Sequence, residues 1–136
     1  MARGTAAFLI GGAILSGCGE EDFANKPRPP VTVDLTGVVQ TDKVTVSPSK
    51  LGAGPVRITI SNQTKQAHTI TLEGDTGSQR VGPVEPLGTA TLRRTLAPGI
   101  YQVKAGTAVA TPREIAPAEL TIGRERPNSN DKLLLP

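Results

Sequence analysis

The sequence predicts an all-β fold, a two-sheet antiparallel Greek-key sandwich, from three observations. Short apolar runs alternate with polar residues at period two, as in strands that bury one face. Glycine and proline, 15 and 12 of the 136 residues, break these runs into short segments. No window of twelve residues has an amphipathic helical pattern with capping residues. Seven or eight short strands separated by turns therefore favour two sheets packed face to face.

The predicted strands follow one another between residues 31 and 122, and they are rich in valine, isoleucine and threonine, which favour strands. A loop is predicted over 74–86, with a short strand around Arg80 and Val81. Turns are predicted at 47–49, 52–55, 61–64 and 97–99, where Gly, Pro, Ser and Asn cluster. The alternating positions are, in chain order, Val31, Val33 and Leu35; Val44 and Val46; Val56, Ile58 and Ile60; His68, Ile70 and Leu72; Ala90 and Leu92; Tyr101 and Val103; Leu120 and Ile122.

Arg94 interrupts this pattern because it has the same parity as the apolar residues Leu92 and Leu96. Either a bulge shifts the register of the strand there, or the long side chain reaches solvent at the sheet edge.

Composition excludes several classes of function. The net charge of +3 and the three aromatic residues are too few for a nucleic-acid binder, which needs a dense basic face with stacking rings. A single Cys and a single His exclude a disulfide framework and a zinc site built from several Cys and His residues. No nucleophile elbow, phosphate-binding loop or dinucleotide fingerprint is present. We therefore expect a protein that is not an enzyme, has no cofactor and does not bind nucleic acid.

The N-terminus has the three parts of an export signal. One positive charge at Arg3 precedes an apolar run over residues 6–15, and Leu15-Ser16-Gly17-Cys18 follows. A run this short is a signal-peptide core and not a membrane span. The segment resembles the lipobox of bacterial lipoproteins. The alternatives are an ordinary secretory signal or an N-terminal membrane segment.

The resemblance implies cleavage before Cys18 and attachment of lipid to its thiol, which would hold the protein in a membrane. The location would be the bacterial cell envelope, either the outer face of the cytoplasmic membrane or, in a two-membrane cell, the outer membrane. The predicted organisation is then a signal peptide at 1–17, a lipid-anchored tether at 18–30, a sandwich at 31–123 and a flexible tail at 124–136.

The stretch Leu96-Ala97-Pro98-Gly99-Ile100-Tyr101 resembles the tyrosine corner of Greek-key sandwiches. In that motif a Tyr hydroxyl hydrogen-bonds to the backbone a few residues upstream. The resemblance assigns a structural role to Leu96, Pro98, Gly99 and Tyr101.

Val46-Ser47-Pro48 is followed by a strand over 53–60, by Ser61-Asn62-Gln63-Thr64 and His68, and then by Pro98-Gly99-Ile100-Tyr101. This order of motifs resembles the cupredoxin family, with an immunoglobulin-like sandwich as the other candidate. The resemblance implies that His68 stands at the first copper ligand and that Ala105 stands near the cysteine ligand. The following loop, 106–113, contains no His, Cys or Met. A blue-copper centre needs two imidazoles and a thiolate, so we expect a copper-free domain.

These observations predict a lipid-anchored binding or interaction module, with an envelope protein as a partner and its contacts in loops 74–86 and 106–117. His68 then fills the end of the core, hydrogen-bonded to the turn at 62–64. The alternative is an envelope protein that binds or handles copper through His68. An enzyme would require His68, Arg94 and Glu114 to converge in one pocket.

Overall fold

Eight β-strands make up the domain in the computed structural model, which describes residues 30–107 and 114–127. No helix occurs within these ranges, and the all-β sandwich predicted from the sequence is confirmed. The strands are β1 (Val33–Val39), β2 (Val44–Ser47), β3 (Lys50–Asn62), β4 (His68–Gly74), β5 (Gly77–Val84), β6 (Thr89–Leu96), β7 (Gly99–Gly106) and β8 (Ala118–Glu125).

The strands form two sheets that share β3. The first sheet has the order β2-β1-β3-β6, and the second has the order β3-β8-β7-β4-β5. The beginning of β3 pairs with β8, whereas the part from Gly54 to Ser61 pairs with β6. Gly54 has a φ of 135°, which a residue with a side chain rarely adopts, and it allows β3 to pass from one sheet to the other.

Pairing is not wholly antiparallel as predicted, because β1 is parallel to β3 and β3 is parallel to β8. Side chains alternate at period two in both kinds of ladder, so the sequence pattern does not reveal the direction of the neighbouring strand. That direction depends on which distant strands become neighbours.

The predicted loop at 74–86 contains a full edge strand, β5. Val84 is buried and Val81 half-buried, whereas Ser78 and Arg80 are exposed. Gly82 and Pro83 weaken the strand pattern in the sequence. An edge strand accommodates them where its register with β4 shifts, between His68 and Ile70.

The core between the sheets is aliphatic, and it has a different polar residue at each end. β4 begins at the buried His68 and ends at Gly74, which lies against the ring of Tyr101. We call the first end, with Asn62, Thr64 and His68, the histidine pole, and the end with Tyr101 and Arg126 the tyrosine pole. The largest fully buried apolar side chains are Leu35, Val39, Val56, Ile58, Ile60, Ile70, Leu72, Leu92, Leu96, Val103 and Leu120.

The ordered domain extends beyond residue 123, where the sequence suggested that a flexible tail begins. β8 continues to Glu125, and the backbone N–H of Arg126 donates to the carbonyl of Ala53 at 3.0 Å. The rest of the predicted tail, residues 128–136, lies outside the described residues.

Candidate functional site

The histidine pole is organised by the side chain of Asn62, which is fully buried at the end of β3. Its amide nitrogen donates to the carbonyl oxygens of Gln66, at 2.7 Å, and Val84, at 2.9 Å. Its amide oxygen accepts hydrogen bonds from the backbone N–H of Thr64, at 2.9 Å, and from the Thr64 hydroxyl, at 2.8 Å. One side chain therefore joins the 63–67 loop to the end of β5.

His68 continues this network into the core. Its Nε2 lies 2.8 Å from Oγ1 of Thr64, and the residue is only 2% exposed. Nδ1 has no hydrogen bond of acceptable geometry to any residue that the structure describes. Burial lowers the pKa of His68, and the nearby backbone of Gly106 partly offsets this effect. His68 is therefore a neutral imidazole at pH 7. Its Nε2 is hydrogen-bonded, whereas its Nδ1 is buried without a hydrogen bond of acceptable geometry.

A turn beside Asn62 carries the most exposed large apolar side chain of the described residues. Leu87 has a φ of 61° and is 83% exposed, and the N–H of Gly88 closes the turn on the carbonyl of Glu85 at 2.8 Å. The N–H of Leu87 donates to the carbonyl of Asn62, and the N–H of Asn62 donates to the carbonyl of Gly88. A positive φ is unfavourable for leucine, so the Asn62 contacts hold this turn in a strained conformation.

The residues at the histidine pole do not fit a blue-copper centre. Within residues 30–107 and 114–127, no three His, Cys, Asp or Glu side chains lie close enough to hold a metal ion. Ala105, the position that the cupredoxin resemblance aligns with the thiolate, lies opposite Ile70 in the β4–β7 ladder. A methyl group there cannot supply the sulfur ligand that type 1 copper requires.

The tyrosine pole has the geometry of a tyrosine corner. Tyr101 is 2% exposed, and its hydroxyl donates to the carbonyl oxygen of Ala97 at 3.2 Å. Leu96 is buried at the end of β6, and Pro98 is exposed in the turn before Gly99, which has a φ of 152°. These contacts fix the passage from β6 to β7.

Gly74 is a part of this pole that the sequence analysis missed. A methyl group built on its Cα would overlap two carbon atoms on one edge of the Tyr101 ring. The end of β4 approaches the ring closely because residue 74 has no side chain. Sequence alone gives no signal that pairs a glycine with a ring 27 positions away.

Arg126 is a second residue missed by the sequence analysis, which placed it in the tail. Its guanidinium donates to the carbonyl oxygens of Val31 at 2.8 Å, Ala53 at 3.2 Å and Pro55 at 2.6 Å. It thus ties the beginning of the domain and the middle of β3 to the end of β8. A side chain on Gly54 would collide with the same guanidinium group.

Arg94 reaches the sheet edge, the second of the two arrangements considered for it. The β3–β6 register runs without a shift from Gly54 to Ser61, so no bulge is present at Arg94. Its guanidinium donates to Oγ1 of Thr76 at 3.2 Å and to the Gly77 carbonyl at 3.4 Å. Since Arg94 reaches the β4–β5 turn and His68 begins β4 at the opposite pole, the two residues do not share a pocket.

The N-terminal predictions lie outside the described residues: the signal peptide at 1–17, Cys18, and the tether except for Pro30. Among the described residues there is no helix that is long and apolar enough to cross a membrane.

No family model and no curated protein matches the chain. Several solved structures resemble it weakly. A mutant of amicyanin in its reduced Cu(I) form at pH 4 is 12% identical, with a TM-score of 0.42, and the match covers 68% of this chain and 81% of amicyanin. The copper-containing nitrite reductase of Thermus scotoductus is 11% identical (TM-score 0.43; 74% and 32% covered). A multi-copper oxidase from Pediococcus acidilactici is 13% identical (TM-score 0.39; 71% and 28% covered).

The chain therefore spans about a third of the length of the two larger proteins. Similarity at this level does not indicate whether this chain binds copper or catalyses a reaction.

Proposed function

We propose that the protein is a membrane-anchored bacterial lipoprotein whose copper-free, cupredoxin-like sandwich is a binding or interaction module without enzymatic activity. The observation that carries this proposal is the buried Asn62–Thr64–His68 network. Where the cupredoxin resemblance implies a metal ligand, His68 instead bonds to Thr64 and supports a turn. The surfaces available for binding are then the outer faces of the sheets and the loops at the two poles.

The sequence at Cys18 supports the anchor. Replacement of Cys18 by Ser removes the thiol that would carry the lipid, so we expect the protein to move from the membrane fraction to the soluble fraction. Ser16→Ala is the matched control, because it keeps a small residue in the lipobox and should leave the protein in the membrane. Membrane retention of the Cys18→Ser protein would refute the anchor.

One observation favours the second candidate function, the handling of copper. Nδ1 of His68 is buried without a hydrogen bond of acceptable geometry, and a neutral imidazole nitrogen is a good copper ligand. Any further ligands would have to come from a partner or from residues outside the described ranges.

Titration of the soluble Cys18→Ser protein with Cu(I) and Cu(II) separates the two candidates. If the protein is an interaction module, this protein and a version that also carries His68→Gln should bind copper equally weakly. Binding at least tenfold tighter when His68 is present would replace the first proposal with the second.

A further inference from the structure

The outer face of the first sheet carries two rows of polar side chains at adjacent strands. Asp34, Arg57 and Arg93 are cross-strand neighbours on β1, β3 and β6. A second row of cross-strand neighbours consists of Thr36 on β1, Thr59 on β3 and Thr91 on β6. Each threonine lies two residues along its strand from the charged residue of the first row. With Gln79 and Leu35 these six residues line a shallow cavity of about 680 Å³. We call the six residues the arginine–threonine face.

The charges on this face are not balanced. Asp34 accepts hydrogen bonds from Nε of Arg57 at 2.6 Å and from Nη2 at 2.7 Å, which leaves Nη1 of Arg57 free of that carboxylate. Arg93 is the direct neighbour of Arg57. Its side chain takes part in neither of the two salt bridges within the described parts of the chain, and its charge acts on Asp34 without a direct contact. Like charges placed opposite each other destabilise a sheet. A second anion beside Arg93 would remove this repulsion.

The pKa of Asp34 reflects the same excess of positive charge on this face. Hydrogen bonding from Arg57 lowers the pKa of Asp34; desolvation opposes this shift, and the charges of Arg57 and Arg93 add to it. A single carboxylate thus faces two guanidinium groups, and only Arg57 is neutralised by direct contact.

The threonine row lies about 7 Å from the charged row, twice the rise per strand residue. Threonine side chains are stiff at χ1, so three hydroxyl groups in cross-strand register lose little entropy when they bind a ligand. Gln79 reaches over from the second sheet and donates to the carbonyl of Arg93 at 3.4 Å, which closes one side of the cavity. The only aromatic side chain among the described residues, Tyr101, is buried in the core, so recognition on this face relies on polar groups.

We infer that the arginine–threonine face binds an acidic saccharide, that is, a sugar bearing a carboxylate or a phosphate. Arg93 and the free Nη1 of Arg57 receive the anionic group, and the hydroxyls of Thr59 and Thr91 bond to the hydroxyls of the ring. Guanidinium groups suit both anions because they donate parallel hydrogen bonds to two oxygen atoms. This inference rests on the binding module proposed above and names its ligand class, and it does not depend on the lipid anchor.

The test measures binding to the soluble Cys18→Ser protein by calorimetry, with backbone NMR shifts to locate the site. The probes are an oligomer of glucuronic acid, an oligomer of a sugar phosphate, and a maltooligosaccharide of equal length as the neutral control. We expect at least one acidic probe to bind at least tenfold more tightly than the neutral one and to shift the resonances of β1, β3 and β6. The two acidic probes distinguish a carboxylate ligand from a phosphate ligand.

Two neighbouring arginines provide the matched control. Arg93→Gln should weaken binding at least tenfold, whereas Arg94→Gln removes the same charge from the adjacent position and should change it less than twofold, since Arg94 reaches the β4–β5 turn instead. Thr91→Val should weaken saccharide binding several-fold and leave inorganic phosphate binding unchanged.

Equal losses in the two arginine variants would show general attraction to a positive protein and would overturn the inference. So would the absence of binding to both acidic probes. Neither result would affect the membrane fractionation or the copper titration, so failure of this inference can be told apart from failure of the proposed function.

Discussion

The two poles of the sandwich close the aliphatic core with different polar groups. At the tyrosine pole a phenol and a guanidinium donate only to backbone carbonyl groups. At the histidine pole the buried side chains bond to one another as well as to backbone carbonyl groups, and Nδ1 of the imidazole has no hydrogen bond of acceptable geometry. The histidine pole also holds the strained Leu87 turn.

The difference indicates which end of the molecule is purely structural. The tyrosine pole satisfies its polar groups with backbone carbonyl groups. The histidine pole has a strained turn and a buried nitrogen without a hydrogen bond of acceptable geometry, features that proteins retain more often at functional sites. Stability measurements on single variants can sharpen this contrast or break it.

The largest effect is expected from Asn62→Ala. This change removes the side chain that serves Gln66, Val84 and Thr64, and it leaves buried donors and acceptors without partners. We expect a loss of about 3 kcal/mol in the free energy of unfolding, measured by chemical denaturation. Gln63→Ala, at the exposed neighbouring position, should change stability by less than about 0.5 kcal/mol. Similar values for the two variants would show that the network is not what holds this pole.

A somewhat smaller loss is expected from Gly74→Ala at the tyrosine pole. The added methyl group overlaps the buried Tyr101 ring, so either the ring or the end of β4 must move. We expect a destabilisation of about 2 to 3 kcal/mol by thermal or chemical unfolding. Gly123→Ala is the control, since its methyl group would meet only the Leu51 carbonyl at 3.8 Å. An unchanged stability of Gly74→Ala would mean that the contact with the ring is not tight in solution.

Acidification tests the histidine pole. Because burial lowers the pKa of His68 in the folded protein, the unfolded chain takes up a proton there first as the pH falls below about 6.5. The stability of the protein should therefore be highest above that pH and fall below it, by at most about 1.4 kcal/mol per pH unit from this residue. The difference in unfolding free energy between the native sequence and His68→Gln, at pH 7.5 and pH 5.0, isolates the contribution. A constant difference would contradict it.

The phenol of Tyr101 contributes less. Tyr101→Phe removes the hydrogen bond to Ala97 and keeps the ring in the core. We expect a loss of about 1 kcal/mol in the free energy of unfolding, measured by chemical denaturation. An unchanged stability would show that this hydrogen bond does not hold the tyrosine pole.

The smallest effect has the opposite sign. Leu87→Gly removes the strain of a positive φ, and little burial is lost because the side chain is 83% exposed. We expect a gain of about 0.5 kcal/mol in stability. Pro86→Ala, in the same turn, is the control and should not stabilise the protein. A destabilised Leu87→Gly protein would show that the leucine packs against the domain and is not held under strain.

Much of the fold could be predicted because it is encoded locally. The alternation that placed Ile58, Ile60, Ile70 and Leu72 on one face of each strand is a property of neighbouring residues, and all four are buried. β5 was harder to predict, since Gly82 and Pro83 obscure its alternation. The parallel β1–β3 pairing leaves no trace in the alternation pattern at all.

The candidate sites show the same division. His68 and Tyr101 were singled out because each is a rare residue within a local motif. The partners that complete the two poles are distant in sequence and carry no distinguishing residue type. Gly74 packs against Tyr101, and the end of β5 bonds to Asn62 in the network of His68. The pairing of Arg57 with Arg93 became apparent only when β3 and β6 were placed side by side.

By itself, the sequence determined that this chain folds as a β-sandwich with an aliphatic core, because periodicity and turn residues act over a few positions. It also determined the shortage of metal ligands, which composition alone fixes. Only the tertiary structure decided the directions of the strands, the closure of each pole and the charge imbalance on the outer face. These depend on contacts between residues tens of positions apart, whose geometry is set by the packing of the whole domain.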